Sequence, residues 1–292
     1  MFPLRCTVRA CEEPLNLSDS GLRCARGHHF DRAKEGYWSL LQPQDRKSKN
    51  PGDSESAVLA RHRWLQRGLA NGLIDALRPW VDGDAVSGDG GTRSEAMMTT
   101  LDLGCGEGTF GPALFGEQSA GYCGIDLSKR AIKLAARRWP PATWVLANAD
   151  RGLPAADASV DRVLSLFGRR PTGEIQRVLK PNGICVVAVP GEEDLIELRE
   201  QVQQSGHRRS RWELVVDEMN AEGMQLVEHQ LWAERVDLEP DAIADALAMT
   251  YRAVRHSQQA RLESVTATRV TLAADLMLFR RSAASSASDS TE

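Results

Sequence analysis

From residue 97 onward, short apolar runs alternate with helix-patterned stretches, and the first run ends in a glycine-rich turn, Asp102-Leu103-Gly104-Cys105-Gly106-Glu107-Gly108. No other feature constrains the fold as much. Met97 to Leu103 reads as a strand, and a helix opens around Phe110–Phe115. Tyr122 to Ile125 reads as a second strand, followed by a helix from Lys129 to Arg138. Trp144 to Ala147, Val160 to Leu166 and Ile184 to Val189 read as three more strands, with a helix at Ile175 to Leu179 and a turn at Lys180-Pro181-Asn182-Gly183. Strands joined through helices lie parallel and are covered on both faces. A helix near Leu195–Gln203, a strand at Met224–Trp232, a helix near Ala242–Met249 and a last strand near Val270–Phe279 complete the pattern. The expectation is an α/β fold with a doubly wound sheet.

A Gly-x-Gly-x-Gly turn at the end of a first strand lets backbone pass close to a ligand, but several nucleotide chemistries share it. The acids around it narrow the choice. Asp102 lies two residues before Gly104, and Glu107 sits inside the loop after Gly106. Asp126 ends the second strand about 20 residues on, where an acid accepts ribose hydroxyls. Asp150 follows the third strand, within reach of an adenine amino group. Read singly, Asp126 is equally a helix cap before Ser128 and Lys129, and Asp150 a turn residue. Together they sit at strand C-terminal ends, where ligands bind in such sheets. S-adenosylmethionine carries an ammonium and a sulfonium and no phosphate, so carboxylates suit it. The lysine spacing is wrong for a P-loop.

The first 70 residues differ from the rest. They carry 12 Lys/Arg against 8 Asp/Glu, whereas the whole chain has net charge -4. A basic head on an acidic body suits a phosphate-contacting face; an uneven scatter of solvated charges is the bland reading. Of six cysteines, three fall in the first 24 residues. Cys6-x4-Cys11 and Cys24-x3-His28 form two close pairs, the layout of a tetrahedral zinc site closed by four protein ligands, hence structural. His29 is an adjacent alternative to His28, and incidental thiols are the other reading. A small head with few large apolar residues would draw its stability from the metal.

Four segments follow: a zinc-binding head over 1–42, a linker and helical connector over 43–96, an α/β domain over 97–281 and a disordered tail over 282–292. Within the connector, residues 54–80 read as one helix stopped by Pro79, and 82–96 as a Gly, Asp and Ser-rich disordered stretch. The longest apolar runs are too short to cross a bilayer, and the opening Met1-Phe2-Pro3-Leu4-Arg5 lacks a secretion signal's apolar core. The protein is expected to be cytoplasmic.

The motifs Asp102-Leu-Gly-Cys-Gly-Glu-Gly108, Gly124-Ile-Asp126, Leu153-Pro154, Asp157-x-Ser159-x-Asp161 and Leu179-Lys-Pro-Asn-Gly183 resemble the class I (Rossmann-like) methyltransferase superfamily over about residues 97–190. The head adds His28-His29-Phe30-Asp31-Arg32-Ala33-Lys34-Glu35-Gly36-Tyr37 and Asn50-Pro51-Gly52-Asp53-Ser54. With the zinc pairs, these are similar to the bacterial 23S ribosomal RNA (guanine-N1)-methyltransferase family, which joins a zinc domain to a class I methyltransferase domain. The resemblance implies S-adenosylmethionine and structural zinc as cofactors, 23S ribosomal RNA as partner, a homodimer, and methylation of guanine N1 in a hairpin. It also places Asp194 where the family commonly has a cofactor-contacting histidine. The chain departs from the family elsewhere too: its first pair is Cys6-x4-Cys11 instead of Cys-x2-Cys, Ala70 replaces a cofactor-contacting tyrosine, and Gly168-Arg169 replaces Ala-Pro after the fourth strand. No residue stands out as the base for the N1 proton. Arg169 and Arg170, after the fourth strand, could hold phosphate or guanine O6, or form a solvated turn. Two other readings compete: a class I enzyme acting on a small molecule, and a non-catalytic RNA-binding relative.

Overall fold

Three very short strands open the chain: β1 (Asn16–Ser18), β2 (Gly21–Arg23) and β3 (His29–Phe30), in one antiparallel sheet. The computed structural model describes residues 2–45, 52–81, 98–116, 118–203, 210–250 and 268–282. All of the expected stretch over 82–96, much of the 43–54 linker, including Asn50-Pro51, and nearly all of the tail lie outside them. Such a small sheet buries little by itself. Its apolar residues Leu22 and Phe30 pack instead into one cluster with Leu101, Val163 and Cys185 of the large sheet. Main-chain bonds add to this seam, with Arg5 N donating to Pro154 O at 3.2 Å and Leu40 N to Leu146 O at 3.0 Å. The head then gives β4 (Trp38–Ser39) to the large sheet, so the segment expected to stop at residue 42 is physically continuous with it.

Two helices follow where one was expected: α1 (Glu55–Gln66) and α2 (Asn71–Val81). Ser54 caps α1 by accepting from Ala57 N at 3.2 Å. The break falls at Gly68, whose left-handed φ of 77° ends a helix readily. Pro79 does not stop α2, because burial of Trp80 and Val81 carries the last turn past it.

The remaining elements are β5 (Thr100–Leu103), α3 (Phe110–Phe115), β6 (Tyr122–Asp126), α4 (Lys129–Arg138), β7 (Thr143–Leu146), β8 (Val160–Leu166), α5 (Thr172–Val178), β9 (Leu179–Pro190), α6 (Ile196–Gln203), α7 (Trp212–Ala221), β10 (Met224–Asp237), α8 (Pro240–Thr250) and β11 (Arg269–Arg281). Eight strands form the large sheet in the order β10-β11-β9-β8-β5-β6-β7-β4. Neighbours from β9 to β4 pair in parallel, while β11 runs antiparallel to both β9 and β10. Consecutive residues of β8, Val163 and Leu164, enter apolar clusters on opposite faces, which is why the strands read as unbroken apolar runs. The Lys180–Gly183 turn appears as a four-residue bulge at the foot of β9: Leu179 pairs with Val160, but Ile184 already pairs with Arg162. Helix α7 had no counterpart in the sequence reading, since only Val215 and Met219 among its ten residues are buried.

The chain order reverses on either side of β5. β6 and β7 lie to one side, β8 and β9 to the other, so the loops after β5 and β8 diverge and leave a crevice at the strand C-terminal ends. Helix α1 lies against α8 beside this crevice. There Asp245, with a side chain only 4% exposed, accepts from Arg63 Nε at 3.1 Å and Arg67 Nη1 at 2.6 Å.

Candidate functional site

A cavity of about 400 Å³ fills the crevice, a size suited to a small-molecule cofactor. Its floor is the turn after β5, where Gly104, Gly106 and Gly108 all take positive φ, between 58° and 75°. Only glycine adopts this run of left-handed conformations without strain. The loops after β6, β7 and β8 wall it with Asp126, with Asn148 and Asp150, and with Phe167 to Arg169. Segment 52–65 adds Asp53 and Arg61 from outside the sheet.

Four of the expected cofactor acids meet here. Asp126 ties the turn down, accepting from Gly106 N at 2.9 Å and from Ser128 N at 2.7 Å. The cap reading of Asp126 is therefore partly met, although the N-cap of α4 is Ser128, which accepts from Ala131 N. Burial raises the Asp126 pKa above the ordinary carboxylate range, and the two amides oppose that rise. Asp102 is 2% exposed and accepts from Tyr122 Oη at 2.5 Å. Burial pushes it up to about 7, against that hydrogen bond. Glu107, also 2% exposed, accepts from Thr109 Oγ1 at 2.7 Å and lies 3.5 Å from Arg61 Nε. Asp150 is more open and lies 3.7 Å from Arg169 Nε.

Asp194 is not brought together with these four. It does not line the cavity; its carboxylate accepts from Ala273 N at 3.0 Å, and burial lifts it to about 6. The chain after β9 turns onto β11, with Leu195 N donating to Thr271 O. Ala70 likewise lies in the helix-packing cluster with Leu73 and Leu77 rather than in the cavity wall.

Sequence reasoning missed Arg61 and Asp53. Arg61 Nη1 donates to Asp53 Oδ2 at 2.8 Å, and its guanidinium spans from there to Glu107, roofing the glycine turn. Asp53 sits in the Asn50-Pro51-Gly52-Asp53-Ser54 motif, which carried no site role, Arg61 belongs to no recognisable spacing, and both reach the site because α1 folds over it. The donor set suits S-adenosylmethionine: carboxylates for hydroxyl, amino and ammonium groups, a partly buried cation for a carboxylate and, among the described residues, no amide-and-lysine cradle for phosphate.

The second site is in the head. Sγ of Cys6, Cys11 and Cys24 and a ring nitrogen of His28 lie within 4.8 Å of one another. Cys11 Sγ is 3.8 Å from Cys24 Sγ, while His28 Nδ1 is 3.5 Å from Cys6 Sγ and 3.4 Å from Cys24 Sγ. A zinc tetrahedron with bonds of about 2.3 Å to sulfur and 2.0 Å to nitrogen has S–S edges of about 3.8 Å and S–N edges of about 3.5 Å. Three of the quartet's six edges thus match a zinc tetrahedron, and the others stay within 4.8 Å. His29 is excluded, since it turns outward to Ser20 Oγ at 3.2 Å and Asp31 at 3.5 Å. Among the described residues, no helix is long and apolar enough to cross a membrane.

Two family models match the chain: "Methyltransferase domain" over residues 100–183 and a zinc-ribbon model described as "RlmA, N-terminal" over residues 4–49. A 23S rRNA (guanine(748)-N(1))-methyltransferase of Streptomyces fradiae is 30% identical over 250 residues, covering 84% of each chain. Two proteins provisionally named 23S rRNA (guanine-N(1)-)-methyltransferases are also similar. That of Micromonospora griseorubida is 33% identical, covering 67% of this chain and 68% of its own. YxjB of Bacillus subtilis (strain 168) is 34% identical, covering 70% and 71%.

Proposed function

Because this chain belongs to the 23S ribosomal RNA (guanine-N1)-methyltransferase family, we propose that it methylates N1 of a guanine in a 23S ribosomal RNA hairpin, using S-adenosylmethionine. The observation that carries this reading is the joining, in one chain, of the acid-lined crevice of a class I methyltransferase fold to a zinc-spaced Cys3His head. An enzyme for a small molecule has no need of such a head.

S-adenosylmethionine supplies the electrophilic methyl group. Asp126 is assigned to the ribose hydroxyls and Asp150 to the adenine amino group. The turn from Gly104 to Gly106, with Asp102 and Glu107 behind it, takes the methionine end. These acids hold the cofactor in line for displacement, which accounts for most of what such an enzyme must do. Guanine N1 lies on the Watson–Crick edge, so the base must be unpaired to be reached. Its proton must leave during transfer, and no side chain is assigned to take it. Cys6, Cys11, Cys24 and His28 are assigned as the ligands of one structural zinc. The RNA substrate places the protein with bacterial ribosomes, in the cytoplasm. A homodimer belongs to the same proposal on family resemblance alone.

The test is tritium transfer from labelled S-adenosylmethionine to 23S ribosomal RNA of a deletion strain, with the product base mapped. One N1-methylguanine per RNA is expected. Label appearing only in small molecules would refute the substrate. Absence of S-adenosylmethionine binding by calorimetry would remove the enzymatic reading altogether.

A further inference from the structure

Phe167 is the first residue after β8, and its backbone and side chain are both unusual. Its φ is 60°, in the left-handed region that bulky side chains avoid. The residue is 46% exposed, although it lines the cofactor cavity. Three attachments hold it there. Phe167 N donates to Ala188 O at 2.9 Å, extending the β8–β9 ladder by one bond. Ser165 Oγ donates to Arg169 O at 3.2 Å and closes the turn behind it. Gly168 lies so close to the turn after β5 that a Cβ there would stand 2.6 Å from Leu103 O. The turn is thus pinned on both sides, and the ring is directed out of the core at a strained position. Among the described residues it belongs to none of the apolar clusters, so their packing does not account for it. Strain held in place by its surroundings at a cavity rim points toward ligand contact.

The assignment of the acids fixes which ligand. With Asp126 and Asp150 at the ends of β6 and β7 taking ribose and adenine, the methionine end of the cofactor points toward β5 and β8. The methyl group therefore leaves on the side that Phe167 borders.

We propose that Phe167 is the platform on which the target guanine stacks while its N1 faces the methyl group. The proposal rests on the RNA-methylation reading above. An unpaired purine offers a flat apolar face, and enzymes that act on extruded bases hold them against aromatic side chains. Phe167 recognises the face and leaves the Watson–Crick edge uncovered for reaction. It is a substrate-positioning residue, adjacent to Arg169, whose side chain is 80% exposed at the same rim.

The experiment compares Phe167→Ala, Phe167→Trp and Phe167→Gly with the wild type in the full-length zinc-loaded protein. Three readouts are taken: calorimetric affinity for S-adenosylhomocysteine, melting temperature, and kcat/KM for methylation of a 23S ribosomal RNA fragment. Loss of one base-stacking contact corresponds to about 10- to 100-fold. Phe167→Ala should therefore lose about that much in kcat/KM with S-adenosylhomocysteine affinity unchanged. Phe167→Trp should retain most of the activity. Phe167→Gly, which relieves the backbone strain, should melt no lower than the wild type yet be as impaired as Phe167→Ala. Wild-type rates in Phe167→Ala would overturn the proposal. So would a parallel loss of cofactor affinity, which would make the ring a wall of the cofactor site. Failure of the wild type itself to methylate the RNA would overturn the underlying reading, and the proposal with it.

Discussion

Asp102 lends itself to a quantitative test. Its carboxylate is 2% exposed, beneath the cofactor turn, with Tyr122 Oη as its hydrogen-bond donor. Burial raises it from 3.8 to about 7, with Asp126 and Glu107 adding repulsion. In the folded protein it keeps its proton to near neutrality; in the unfolded chain it does not. Its contribution to stability is therefore fully present below pH 3.8 and lost as pH rises through about 7. The rise from 3.8 to about 7, at about 1.4 kcal/mol per pH unit, makes this about 4 kcal/mol, of which about 3 kcal/mol is crossed between pH 5 and 8. Asp102→Asn keeps the shape and an acceptor for Tyr122 but does not titrate. At a melting entropy of about 2.1 cal/mol/K per residue, about 3 kcal/mol corresponds to about 4–5 °C for this chain. Melting curves of both proteins from pH 5 to pH 8 should show Asp102→Asn gaining that much on the wild type. The comparison cancels all other titrating groups common to both. A difference flat to within about 1 °C would refute the argument, and would mean that Asp102 is ionised in the folded protein throughout.

Three further outcomes are expected. Purified protein should carry about one zinc per chain, and Cys24→Ala should lose it; metal analysis showing zinc retained in that variant would reject the ligand set. Arg61→Ala removes the cation beside buried Glu107. Breaking a buried pair costs about 3–5 kcal/mol, and a guanidinium nearly a third exposed brings this down to about 2 kcal/mol, read as a melting decrease of about 3 °C. Gly168→Ala places a methyl group against Leu103 O, so the turn after β8 must shift, costing about 1–3 kcal/mol and weakening S-adenosylmethionine binding in calorimetry.

The sequence made the parallel sheet legible because the strands from β5 to β8, and β9 from Ile184 to Val189, are buried on both faces, which leaves runs that no exposed residue interrupts. The zinc quartet was legible for a related reason: metal ligands are scarce residue types, and their spacing survives in one dimension. What escaped depends on distant parts of the chain. β4 has two residues, and only its partner Val145, more than a hundred positions away, makes it a strand. Arg61 and Asp53 reach the cavity through the docking of α1 on α8, fixed by Asp245 far downstream. Asp194 was placed by alignment to a family histidine, and alignment does not record which way the chain turns after β9. The split between α1 and α2 hinged on one local residue, Gly68, overlooked inside an otherwise apolar stripe.

The pairing of Trp38 with Val145 also has a consequence for synthesis. The head is translated before the α/β domain and, once metallated, can close its own small sheet before that domain exists. Its last strand cannot settle then, because β7 has not been translated. That strand must wait for more than a hundred further residues, and the stretch from Trp38 to Leu41 stays uncovered meanwhile. The head thus supplies an edge strand of the catalytic sheet, sealing β7, which would otherwise invite pairing with another molecule. A nascent chain starved of zinc would reach the end of translation with β7 open, and its first failure would be self-association rather than loss of the cofactor crevice.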